Sequence, residues 1–185
     1  MNENTVLKVM LKIRYPFYFC LILASAVVAG CQQEQTGYAN AAAKEYDRSH
    51  QQTVSAMEKV TKTDDEWRGL LTASEYRILR RAGTELPYIN EYYKTRVKGI
   101  YQCAACDLPV FDSETKYDSG SGWPAFYAPI EGHIITTLDT SFFMERTEVL
   151  CARCDSHLGH VFEDGPDPTG LRYCINSVAM NLEEH

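Results

Sequence analysis

Positive charge is what this 185-residue chain is short of: 18 lysines and arginines stand against 25 acidic residues, for a net charge of −7. That balance gives it no electrostatic hold on a phosphate backbone and argues against nucleic acid as a partner. A hydrophobic run long enough to cross a bilayer is also missing. The uncharged apolar stretch from Phe17 to Val28 falls short of the roughly 20 residues a permanent membrane helix needs. It has the proportions of a secretory signal core, and it follows a basic start of Lys8, Lys12 and Arg14. No internal repeat is visible, although the unit Cys-x-x-Cys occurs twice.

The apolar stretch ends at Val28-Ala29-Gly30-Cys31, which resembles the bacterial lipobox, where small residues precede a cysteine that is lipidated and becomes the first residue of the mature protein. Residues 1–30 are therefore expected to be a lipoprotein signal peptide and Cys31 a lipidation site. Several acyl chains there would hold the protein at a membrane, since each buried methylene contributes about 0.8 kcal/mol. The alternative is an ordinary signal peptide or short anchor with Cys31 incidental. Gln32 after the cysteine points, in a Gram-negative cell, to the outer membrane facing the periplasm; the expected location is the bacterial cell envelope. Removing residues 1–30 discards three basic residues and Glu3, which takes the net charge to −9. Residues 31–61, rich in Ala, Gln and charge, read as the lipidated cysteine and a flexible tether, and residues 62–185 as one domain.

Within that domain Thr72-Ala73-Ser74-Glu75 has the capping-box pattern of a helix start, with Tyr76, Leu79 and Arg80 continuing a short helix that stops at Gly83. Beyond Gly99 the pattern changes to short apolar and β-branched runs broken by turn formers: Gly99 to Cys103, Val110-Phe111, His133 to Leu138, Phe142 to Leu150, His160 to Phe162, and Arg172 to Val178. These predict antiparallel strands. Trp67, Trp123, Phe111, Phe126, Phe142, Phe143 and Phe162 are candidate core residues. Asp118–Gly122 and Asp164–Gly170 are loops by composition, and loops on a rigid sheet commonly carry sites.

The cysteines sort by partner. Cys103/Cys106 and Cys151/Cys154 are two Cys-x-x-Cys pairs, each placing two sulfurs on one tight turn at the end of a predicted strand. Two such turns make the closed thiolate shell that structural zinc prefers, one ion per chain, and four protein ligands leave it no open position for catalysis. Disulfides are the alternative, since an exported protein meets an oxidising compartment. Cys174 has no partner of this kind. It stands alone in Arg172-Tyr173-Cys174-Ile175-Asn176-Ser177 and is a candidate nucleophile.

Around Cys174 the chain resembles the methionine-R-sulfoxide reductase B family. The resemblance lies in Ser156-His157-Leu158-Gly159-His160-Val161-Phe162, Asp164-Gly165-Pro166 and Gly170 to Ser177. It also lies in Cys103-Ala104-Ala105-Cys106, in Lys116 to Phe126 and in Arg146 to Cys151, so that it runs in order from about Asp65 to Leu182. It implies a mainly β fold of two antiparallel sheets, of the β-tent kind, with short N-terminal helices, stapled by the four-cysteine zinc site. It also implies reduction of methionine-R-sulfoxide, protein-bound or free, with Cys174 attacking sulfur and becoming a sulfenic acid.

The residue types suit that chemistry. A sulfoxide sulfur accepts a nucleophile only when its oxygen is protonated or strongly hydrogen-bonded, so a thiolate and an acid must stand together. The resemblance implies a histidine as the acid, His160 ahead of His157, with Asn176 organising the site, Trp123 walling the pocket and Phe162 packing beside it. Arg172 and Asn176 flank Cys174 at the period of two and share its face of a strand. A cation there helps lower a thiol's pKa, and Arg172 is alternatively a partner for Asp164 or Glu163. Reduction of methionine sulfoxide divided between enzymes for each epimer is a general feature of sulfur repair.

One position departs from the common pattern. Many relatives carry a second cysteine in the Gly-x-Gly-Trp loop, where this chain has Ser121. With Cys31 lipidated and four cysteines on zinc, no thiol remains to resolve a Cys174 sulfenic acid internally, and an external thiol such as a thioredoxin-like protein is the expected reductant. The protein is expected to be a monomer. Two rivals remain: a noncatalytic zinc-stapled β module tethered to a membrane, and a disulfide-exchange protein using a Cys-x-x-Cys pair. The second normally opens a helix, whereas Cys103 and Cys151 follow strands.

Overall fold

The computed structural model describes residues 57–185, so Cys31, the signal segment and most of the 31–61 tether lie outside the described residues. Met57 and Val60 pack against the core, and the Val60 N–H donates to the Arg153 carbonyl at 2.9 Å.

Two capping boxes open the domain. Thr63 accepts from the Glu66 N–H while the Glu66 carboxylate accepts the Thr63 N–H, and α1 follows over Asp64–Leu70. Thr72 and Glu75 repeat the arrangement at α2, Ala73–Leu79. Each box gives partners to N–H groups that a helix start leaves unpaired. The predicted helix is α2; it ends at Leu79, and the chain turns until the Gly83 N–H reaches the Arg77 carbonyl. The helix α1 has the same Thr-x-x-Glu signature. It buries Trp67, whose ring lies under the Arg80 guanidinium at 4.9 Å.

Nine strands follow: β1 Gly99–Cys103, β2 Pro109–Asp112, β3 Lys116–Tyr117, β4 Ala125–Phe126, β5 Ile134–Asp139, β6 Arg146–Cys151, β7 His157–Phe162, β8 Arg172–Ile175 and β9 Met180–Glu184. They make two antiparallel sheets, ordered β2-β1-β9 and β3-β4-β8-β7-β6-β5. The core between them is aromatic. Phe111 of β2 stacks on Phe126 of β4 at 4.5 Å between centroids, and Tyr101 of β1 meets the same ring edge-on at 5.1 Å. Such offset and edge-to-face contacts add to the burial of the rings.

The structure corrects several sequence expectations. The strand predicted from Phe142 starts only at Arg146, because Ser141–Phe143 form a 3-10 turn whose start is held by the Asp139 carboxylate accepting the Ser141 N–H. Phe143 is not a core residue: it takes φ 60° and is fully exposed. β8 ends at Ile175 because Asn176 opens a second 3-10 turn, Ser177–Ala179. The two-residue strands β3 and β4 are too short to show an alternation.

Candidate active site and metal centre

β1 and β6 each end on a cysteine, and the two Cys-x-x-Cys turns fold alike. The Asp107 N–H donates to the Cys103 carbonyl at 2.8 Å and the Asp155 N–H to the Cys151 carbonyl at 3.0 Å. Both aspartates take φ 56°, a left-handed conformation that Asp and Asn tolerate better than most residues. The turns bring the sulfurs together: Cys103 and Cys154 Sγ are 3.7 Å apart, Cys106 and Cys151 Sγ 3.5 Å, and all four lie within 4.8 Å of one another. Four metal–sulfur bonds of about 2.3 Å in a tetrahedron set sulfurs roughly 3.8 Å apart. A disulfide needs about 2.05 Å, and the four are free thiols. The donor set therefore fits a closed metal centre. Cys103 belongs to one sheet and Cys151 to the other, so such a centre ties them at one end.

β8 sets Cys174 between Ala125 of β4 and His160 of β7, and His160 lies opposite Glu148 of β6. One row across four strands thus carries Glu148, His160, Cys174 and Ala125. His157, three residues before His160, would face the other side of a regular strand. A bulge intervenes: Val149 pairs with Gly159 and Leu150 with His157, leaving Leu158 as the extra residue. The two imidazoles consequently meet edge to face with centroids 5.4 Å apart. Gly159 has a separate reason to be glycine, because a Cβ there would collide with the Cys174 carbonyl.

A cavity of about 120 Å³ opens over this row, and Trp123, Arg146, His160, Phe162, Cys174 and Asn176 are among its walls. Five residues singled out from the sequence, Trp123, His160, Phe162, Cys174 and Asn176, are brought together there. His157 and Arg172 do not line it. His157 is buried and donates from Nδ1 to Glu148 Oε1 at 2.6 Å. Arg172 grips Asp164 through Nε and Nη2, both at 2.8 Å, and its guanidinium lies 4.4 Å from the centre of the Phe162 ring. Asp164, and not Glu163, is its partner.

The amide of Asn176 is engaged at both ends: Nδ2 donates to the Leu158 carbonyl at 3.0 Å and Oδ1 accepts the Glu85 N–H at 3.0 Å. Glu85 is a hub that sequence reasoning missed. Its carbonyl accepts the Trp123 indole N–H at 3.2 Å and its buried carboxylate accepts the Ser177 and Val178 N–H groups. Also missed were Asp139, Arg146 and Glu148. His160 Nε2 donates to Asp139 Oδ2 at 2.8 Å, and Arg146 Nη2 donates to the same oxygen at 2.6 Å. The only available signal was a carboxylate in or beside each of two predicted strands preceding the histidine strand, which does not say which histidine it meets.

Electrostatics separates the roles. The Ser141 hydroxyl, and after it His160, hold the Asp139 carboxyl well below the usual carboxylate range, so it accepts as an anion. Burial pulls the pKa of His157 down against the opposing pull of Glu148, which leaves a neutral imidazole at pH 7. Burial also pushes the Cys174 thiol up; Ser121 and Arg172 act downward, and burial outweighs them. The cation expected from the sequence is present without making Cys174 a resting thiolate.

Residues 71–184 match the SelR domain family. The chain is similar to the peptide methionine sulfoxide reductase MsrB of Pseudomonas putida strain GB-1, with 59% identity over 127 residues, 68% of this chain and 97% of that protein. It is 55% identical over 127 residues to the protein of the same name from Hahella chejuensis, covering 68% and 91% of the two chains. The corresponding protein of Pseudomonas savastanoi pv. phaseolicola is 54% identical over 127 residues, covering 68% and 97%. With a domain match over residues 71–184 and relatives aligned along nearly their whole lengths, the chain belongs to the SelR-domain family of MsrB proteins.

Proposed function

We propose that this protein reduces the R epimer of methionine sulfoxide, in peptides and as the free amino acid, to methionine. The observation that carries the reading is the opposition of Cys174 and His160 across β7 and β8 at the wall of a small cavity closed by Trp123 and Phe162. The substrate methyl group packs against the aromatic walls, sulfur faces Cys174 and oxygen faces His160. Three different surroundings around one sulfur select one epimer.

The half-buried Cys174 thiol starts protonated, and the balance uses that proton. Cys174 Sγ attacks sulfur as the sulfur–oxygen bond of the substrate breaks. His160, oriented by the Asp139 carboxylate, relays a proton to the departing oxygen and recovers one from the thiol. The oxygen, released as hydroxide, adds to Cys174 Sγ as the new sulfur–sulfur bond breaks, so the products are methionine and a Cys174 sulfenic acid. Neutral His157, pinned by Glu148, supports the ring of His160. An external thiol then condenses with the sulfenic acid, releasing water, and a second thiol frees Cys174 as a disulfide leaves. Cys103, Cys106, Cys151 and Cys154 would hold a structural zinc, which would fix the end of β6 and the start of β7 and thereby the Glu148–His157 contact.

A lipid on Cys31 tethers a monomeric domain to the bacterial envelope, where exported proteins meet oxidants and a thioredoxin-like reductant is supplied. The N-terminal sequence supports this placement. Cys31→Ser should move the protein from the membrane to the soluble fraction; retention at the membrane overturns the anchor. The activity is tested by turnover of each epimer with dithiothreitol, comparing wild type with Cys174→Ser. Turnover of the R epimer by wild type alone is expected. Equal activity of the two proteins, or preference for the S epimer, overturns the reading.

A further inference from the structure

Four basic residues converge at the β3 edge of the six-stranded sheet. A cavity of about 610 Å³ lies there, with Lys94, Arg96, Lys98 and Lys116 in its wall and Asp118 as the acidic member of the same wall. β3 is the edge strand, and the segment leading into β1 is tied to it: Lys116 Nζ donates to the Tyr93 and Thr95 carbonyls at 3.2 and 3.0 Å. The chain as a whole carries a net charge of −7, so this cluster runs against its overall sign. Lys98 has a loose, exposed contact with Glu114 at 3.9 Å, and among the described residues Lys94, Arg96 and Lys116 form no salt bridge. Burial, and then Arg96, pull the Lys116 pKa down while Asp118 acts upward, as for a cation held without a close anion.

The cluster is close to the chemistry. Tyr117, which also lines the basic cavity, pairs with Ala125, and Ala125 pairs with Cys174. The edge strand therefore stands two strand spacings, about 10 Å, from the strand of the nucleophile. We infer that the basic cavity binds acidic side chains of protein substrates, so that an oxidised methionine with Asp or Glu a few residues away is the preferred substrate; the inference rests on the sulfoxide reductase reading above. Three to five residues of extended chain, at roughly 3.3 Å each, cover the distance from Cys174 to the edge. Carboxylates fit because Lys94, Arg96 and Lys116 have no anion of their own within ion-pair reach, and several cations acting together raise the local concentration and association rate of an acidic segment. Free methionine sulfoxide is too short to reach them. The basic edge thus discriminates between substrates that present the same reacting group to Cys174.

The test compares peptides that contain one methionine-R-sulfoxide and differ only in an Asp-Glu or Asn-Gln pair about four residues to either side of it. Dithiothreitol is the reductant. Wild type is set against a variant carrying Lys94→Glu and Arg96→Glu; Lys116 is left in place because it holds two backbone carbonyls. Wild type is expected to show a kcat/KM about fivefold or more higher for the acidic peptide on at least one side, through KM, and to lose that preference in about 0.5 M salt. The variant is expected to lose or reverse the preference at low salt while turning over the neutral peptide and free methionine sulfoxide at the wild-type rate. Lys94→Gln with Arg96→Gln carries the same test should the charge reversal fail to fold. Equal wild-type kcat/KM for acidic and neutral peptides on both sides, or an undiminished preference in the folded variant, overturns the inference. So does a variant that slows only the reduction of the enzyme by a thioredoxin, which would give the basic edge to the reductant. Failure of wild type to turn over free methionine sulfoxide and the neutral peptide alike would instead overturn the reductase reading itself.

Discussion

Ser121 Oγ lies 3.9 Å from Cys174 Sγ, inside reach of a short side-chain rotation. The loop that carries Ser121 turns on Gly122, whose φ of 93° and close approach to Pro87 leave no room for a side chain. A sulfur at position 121 would need to close by roughly 2 Å to form a bond of about 2.05 Å. Ser121→Cys should therefore yield an internal disulfide with Cys174 after one turnover, seen by mass spectrometry as loss of two free thiols, while wild type yields a dimedone-trappable sulfenic acid. A wild-type disulfide to any of the four clustered cysteines would show that the chain resolves itself.

His160 and its carboxylate should separate in magnitude. His160→Gln removes the proton donor and is expected to slow methionine formation by about a hundredfold or more, the usual scale for a general acid. Asp139→Asn acts through His160 and Arg146 and should cost less, with a displaced pH–rate profile as the mark of a positioning role. His157→Gln tests the reverse assignment. A larger loss there than in His160→Gln would make His157 the acid.

The pH dependence of Cys174 has a definite sign. Burial holds the thiol above its ordinary value while Ser121 and Arg172 pull downward, so the thiolate fraction grows with pH only beyond the usual thiol range. Removing the cation in Arg172→Met should move the midpoint of iodoacetamide alkylation still higher and slow alkylation at pH 8. A midpoint below that of an unperturbed thiol in wild type would contradict the burial argument.

Metal removal should cost stability more than chemistry. The Arg80 guanidinium donates to the Cys154 carbonyl and to Ser156 Oγ, so the metal turn is linked to α2 as well as to both sheets. A strong chelator, or Cys154→Ser, should lower Tm by on the order of 10 °C or more, and elemental analysis should find one zinc per chain. An unchanged Tm in chelator together with no bound metal would refute a structural ion.

Much of this site was legible in advance because its signals are local. The Thr72–Glu75 box specifies a helix start through contacts three residues apart, and the Cys-x-x-Cys turns specify paired sulfurs the same way. The period of two put Arg172 and Cys174 on one face. What was misread depended on hydrogen bonds that override the apolar pattern, one local and one between distant segments. Phe142 and Phe143 look like strand, yet Asp139 captures the Ser141 N–H and turns the chain before β6 begins. Asn176 extends the Arg172–Cys174 pattern, yet its amide is drawn to Leu158 and Glu85 and ends the strand.

The sequence alone determined the chemical inventory: an unpaired nucleophilic cysteine, four cysteines at metal spacing, two histidines, and a serine where a second thiol could have stood. Tertiary structure decided how they act. A single extra residue at Leu158 brings His157 and His160 to one face, and strand pairing sets His160, not His157, opposite Cys174. Packing makes burial outweigh Arg172 at the thiol. Those outcomes depend on register and desolvation, which are properties of chain segments meeting across the sheet and are not encoded in any one of them.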